Sequence, residues 1–88
     1  MQEFTYQHKD SVRVVPTRAV AAPEGHRIPY RRDIEQAKER LKRGGMAEPL
    51  SVTPHLVIDD SDKFDVIKLY AAHELGWPTV IICFEPDP

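Results

Sequence analysis

A small mixed α/β domain, with one sheet of about four strands and two main helices, is the fold class that this sequence predicts. Three observations predict it. Short β-branched runs alternate with longer stretches whose apolar residues recur at helical spacing. Glycines stand where those helices should stop, at Gly44-Gly45 and at Gly76. The last run, Thr79-Val80-Ile81-Ile82-Cys83-Phe84, is apolar almost throughout, which predicts a strand buried on both faces.

Residues 1–11 are polar and are expected to be loosely held, leaving 12–88 as a single domain. Val12–Val20 has the β-branched content of a strand. Pro16 interrupts it, so an edge strand or two short pieces are expected. Two prolines and a glycine make AAPEGHRIPY a loop. Asp33 can cap a helix whose apolar positions are Ile34, Ala37 and Leu41. Glu35, Glu39, Lys38 and Lys42 fill its wet face, and Lys42 and Arg43 suit the negative end of the helix dipole. Two short apolar runs follow, Leu50-Ser51-Val52 and Leu56-Val57-Ile58, separated by Pro54. Phe64, Ile67, Ala71 and Leu75 mark one face of a second helix, widened by Val66 and Tyr70. Trp77-Pro78 turns the corner into the last strand, and Trp77 is expected to pack beside the second helix. The order is strand, helix, strand, strand, helix, strand.

An 88-residue chain fits one domain, with a stability of roughly 3–8 kcal/mol. Its 41% hydrophobic and 30% charged residues exclude disordered and membrane-spanning classes, since no apolar run approaches the ~20 residues that a bilayer requires. The N-terminus has no signal-like apolar stretch, and Cys83 has no partner for a disulfide, so a reducing cytoplasm is the expected setting. Cys83 lies in an apolar run and reads as a buried structural thiol. Net charge is −2, unevenly spread. Residues 1–45 carry ten Lys/Arg against six Asp/Glu, and residues 46–88 carry two against eight. The basic half can form a local patch without general polyanion affinity.

RRDIEQAKERLKRGGMAEPLSV resembles the part of ParB-type partition domains in which a helix ends at glycine before a Pro-hydrophobic-x-Val strand. LVIDD, and the helix that runs into HELGWPTVIICFE, resemble the segment that follows there. The similarity covers roughly residues 12–85 and implies a ParB/sulfiredoxin-like fold. In that family a Gly-x-x-Arg turn before the second helix holds phosphate through backbone amides and the arginine. Here the turn reads Asp59-Asp60-Ser61-Asp62-Lys63 or, in a shifted register, Asp65-Val66-Ile67-Lys68. Neither has the glycine or the arginine, and Lys63 or Lys68 can replace the arginine only as a point charge. Nucleotide binding is therefore weakened. Sulfiredoxin chemistry, which needs a cysteine in that turn, is excluded.

Two candidate sites follow. Arg27, Arg31, Arg32, Lys38 and Lys42 form a basic loop–helix patch suited to DNA or to an acidic protein surface. Asp59, Asp60, Ser61, Lys63, Asp65 and Lys68 form a turn that offers hard oxygen ligands or phosphate contacts. Acidic residues at the start of a helix also serve to cap it, so that turn has an equally ordinary structural role. His8, His26, His55 and His73 are scattered without zinc spacing, and no cofactor or resident metal is expected. The resemblance implies a binding module rather than an enzyme, an accessory of a plasmid- or phage-type element, with no partition-type helix-turn-helix region in this sequence. The alternatives are a metal-assisted nuclease or CTP/ATP hydrolase that uses the acidic turn, and a small phage-type inhibitor of a host protein.

Overall fold

The computed structural model describes residues 12–46, 48–59 and 63–84. The expected loose segment 1–11, Asp60 and Ser61 of the acidic turn, the Lys63 side chain and the closing 85–88 lie outside the described residues.

Strand β1 (Val12–Pro16) opens the described chain, followed by a single 3₁₀ turn over Thr17–Ala19. Helix α1 is Arg31–Gly44, β2 is Leu50–Val52, helix α2 is Lys63–Glu74 and β3 is Thr79–Phe84. The sheet order is β1-β3-β2, so β1 is the edge strand that Pro16 predicts and β3 lies in the middle. β1 runs antiparallel to β3, from Val12 opposite Cys83 to Pro16 opposite Thr79. β2 runs parallel to β3, with Leu50 beside Ile82, and α2 supplies the crossover that a parallel pair requires.

Among the described residues three strands pair where about four were expected. Leu56-Val57-Ile58 makes only isolated bridges, Val57 to Ala21 and Ile58 to Val52. Pro54 and a tight turn explain this. The Leu56 N–H donates to the Thr53 carbonyl at 2.9 Å, with Leu56 at φ 64°. The run then divides its pairing between two neighbours and builds a ladder with neither. The first strand likewise stops at Pro16, because Thr17 turns away to the β3 corner. Its N–H donates to the Pro78 carbonyl at 3.0 Å and its hydroxyl to the Trp77 carbonyl at 2.6 Å.

Leu50, Val52, Val80 and Ile82 share one sheet face and form a single core with Ile34, Ala37 and Leu41 of α1 and Val66, Leu69, Ala71 and Ala72 of α2. On the other face Ile81 and Cys83 are only half-buried and Val14 is exposed. β3 is thus central but covered on one side, which corrects the expectation of burial on both faces and of a buried Cys83.

Both helices depart from expectation in detail. α1 begins at Arg31 with Tyr30 as its cap residue, and Asp33 sits in the first turn instead of capping. Arginine is a good helix former, so the helix runs back almost to Pro29. In α2 the buried face is Asp65, Val66, Leu69 and Ala72, joined by Ala71, while Phe64 is 69% exposed. Apolar residues surround nearly the whole of this helix, so spacing cannot select its buried side. Trp77 packs against the core as expected. The α2 exit is a Schellman turn: Gly76, at φ 74°, donates to the His73 carbonyl and Trp77 to that of Ala72.

Candidate functional site

The basic patch divides in two. Arg31, Lys38 and Lys42 lie on one side of α1 and are held by carboxylates. Arg31 donates to Glu35 at 2.8 Å and also to Glu74 at the end of α2. Lys38 sits 3.4 Å from both Glu35 and Glu74, and Lys42 lies 3.2 Å from Glu39. The hydrogen bond from Arg31, helped by Lys38 and opposed by some desolvation, holds the Glu74 carboxyl below its ordinary range and raises the Arg31 guanidinium in turn. This quartet ties the start of α1 to the end of α2.

Arg27 and Arg32 are exposed and make no ion pair among the described residues. The same holds for Arg40 and Arg43, of which the sequence suggests only a helix-dipole role for Arg43. Arg32, Gln36, Arg40 and Arg43 stand at i, i+4, i+8 and i+11, a spacing that places them on one stripe of α1. That spacing was the available signal.

In the part of the acidic turn that is described, the polar groups engage neighbouring elements. Asp65 is 2% exposed, and its Oδ2 accepts the Ser51 N–H at 2.8 Å. Lys68 Nζ lies 3.5 Å from Asp65 Oδ1 and 3.8 Å from Glu48. The Asp59 N–H donates to the Ser51 carbonyl at 3.0 Å. Both polar groups of the Ser51 backbone are therefore satisfied by this region, which fixes α2 against β2. Asp65 and Lys68 lie inside the first two turns of α2, and Asp59 lies before it. No group of three His, Cys, Asp or Glu residues able to hold a metal ion occurs among the described residues.

Beside the arginine stripe runs a groove in two connected sections, which share Asp33 and Ile67. One, of about 510 Å³, is lined by His26, Arg27, Ile28, Tyr30 and Val66. The other, of about 430 Å³, follows α1 along Gln36, Ala37, Arg40 and Gly44 and faces Phe64 of α2. His26 shapes the first section. Its Nδ1 lies 3.0 Å from the Pro23 carbonyl, which can only accept, so Nδ1 carries the proton and Nε2 accepts the Tyr70 hydroxyl at 2.8 Å.

The architecture matches solved structures. The chain superposes on the C-terminally truncated chromosome-partitioning protein ParB from Caulobacter crescentus, complexed with CTP-gamma-S, with a TM-score of 0.65 and 18% identity. The fold is ParB-like. A Pnob8-like ParB-N domain gives a TM-score of 0.62 at 18% identity. The ParB-like domain matches over 88% and 86% of its own length but spans only 45% and 30% of those two chains. No protein-family model matches the sequence, and no curated protein matches it. No helix among the described residues of this ParB-like domain is long and apolar enough to cross a membrane.

Proposed function

We propose that this ParB-like domain is a non-enzymatic binding module whose partner is a polyanion, in the first instance DNA, held by Arg27, Arg32, Arg40 and Arg43. The supporting observation is the division of the basic patch. These four cations are exposed and make no ion pair among the described residues, whereas Arg31, Lys38 and Lys42 are committed to carboxylates. Arg32 to Arg43 extends about 16 Å along α1, enough to follow several phosphates of one strand. Its structural similarity to a chromosome-partitioning protein agrees with this reading. An acidic surface of a host protein, as a plasmid or phage accessory would meet, presents the same kind of charge.

Fluorescence anisotropy with a labelled DNA duplex across a salt series tests the proposal. Affinity should fall steeply with salt, and each of Arg32→Ala and Arg43→Ala should reduce the log–log slope by about 1. Arg31→Ala should change it far less. Salt-insensitive or absent binding would remove DNA and leave the acidic protein surface.

Nucleotide binding draws support from the CTP-gamma-S complex of the Caulobacter protein. Against it, Lys68 is held between Asp65 and Glu48, and Asp33 faces the same groove. An amide NMR titration with magnesium–CTP should leave the Asp59–Lys68 region unshifted.

A further inference from the structure

We propose that the groove beside α1 is a docking site for an acidic amphipathic helix of a partner protein. The inference goes beyond the arginine stripe, because it rests on apolar surface that a phosphate backbone does not use. Among the described residues four large hydrophobic side chains stand out as exposed: Val14, Ile28, Tyr30 and Phe64. Three of them, Ile28 at 70%, Tyr30 at 66% and Phe64 at 69%, line the same continuous groove, with Ile67 at its centre. Such clustering marks an interaction surface, whereas apolar side chains scattered singly do not.

The shape favours a helix. Asp33, Gln36, Ala37, Arg40 and Gly44 form one wall, at i, i+3, i+4, i+7 and i+11 of α1, so the wall is three turns or about 16 Å long. Ala37 is small and Gly44 has no side chain, and a Cβ built at Gly44 meets no atom within 4 Å. A second helix backbone can therefore approach this wall closely and set apolar residues at i, i+3, i+4 and i+7 against Ile28, Tyr30, Phe64 and Ile67. The charge at the rim selects the partner. Arg27 borders one section of the groove and Arg40 the other, neither with an ion pair among the described residues, while Asp33 lies where the sections meet, so acidic side chains at the two ends of the docked helix find complementary cations and its middle is uncharged.

The test uses a fluorescein-labelled peptide with leucine or phenylalanine at i, i+3, i+4 and i+7, glutamate at its two ends and an otherwise uncharged middle, titrated with the full chain. Saturable binding is expected, with amide shifts at Ile28, Tyr30, Phe64 and Ile67. Gly44→Leu fills the groove from a helical position with open space, so it should weaken binding roughly tenfold or more while the melting temperature holds or rises. Tyr30→Ala should weaken it similarly, and neither variant should alter the salt slope for DNA. Equal binding of a scrambled peptide of the same composition would overturn the proposal by reducing it to charge. So would wild-type affinity in both variants. Concentration-dependent self-association in sedimentation, lost in Gly44→Leu, would overturn it in favour of a second copy of this chain as the occupant.

Discussion

Glu74 has two cationic partners from another helix, and that arrangement makes its stabilising effect pH-dependent. Its carboxyl lies below the ordinary 4.5 because the ionised form accepts from Arg31 and Lys38. A carboxylate depressed in this way stabilises the fold above the unfolded-state pKa and loses that contribution as pH falls through the lower folded value. Glu74→Gln should therefore melt below wild type near neutrality, and the two melting curves should converge as pH falls through the lowered folded-state pKa. Asp65 poses a different problem. It is buried against the Ser51 amide, so Asp65→Ala should cost about 1–3 kcal/mol in denaturant unfolding, while Asp65→Asn, which keeps an accepting oxygen, should cost less. The sequence shows Asp65 as one of several aspartates near a helix start. Its distinct role depends on Ser51, fourteen residues earlier, and the Arg31–Glu74 bond spans forty-three. Neither separation leaves a local pattern to read.

The two helices show where periodicity carries information and where it does not. α1 alternates apolar and charged positions, so Ile34, Ala37 and Leu41 are legible as its buried face and are buried in the structure. α2 packs against both the sheet and α1 and is apolar nearly all round, so the Phe64-Ile67-Ala71-Leu75 stripe finds the buried Ala71 and the partly buried Ile67 and Leu75, includes the exposed Phe64 and misses Leu69 and Ala72. Leu69→Ala should cost about 2–5 kcal/mol, much of what a domain of this size has, whereas Phe64→Ala should stay within about 0.5 kcal/mol. Chemical denaturation of both variants separates the two assignments. The lost strand has a similarly local cause. Leu56-Val57-Ile58 has strand composition, but Pro54 and the turn at Thr53 spend its few residues on two separate bridges. Composition reports what a segment prefers, and the number of available neighbours decides whether it becomes a ladder.

Across the whole molecule, the central position of β3 organises both sheet and core. Its apolar run was the clearest signal in the sequence, and Val80 and Ile82 lie at the middle of the core. Native-state hydrogen exchange should find β3 among the slowest amides, with the edge strand β1 opening at lower free energy. The candidate site was less legible. The cluster of cations could be seen in the sequence, but which of them remain available depends on which carboxylates the fold brings alongside. That same central strand has a consequence for synthesis. β1 and β2 both hydrogen-bond to β3 and not to each other, and β3 is the last of the three to be made. A nascent chain that ends at Pro78 therefore has both helices and every buried core residue except Val80 and Ile82 but no sheet, and its two outer strands wait for a middle that has yet to be made.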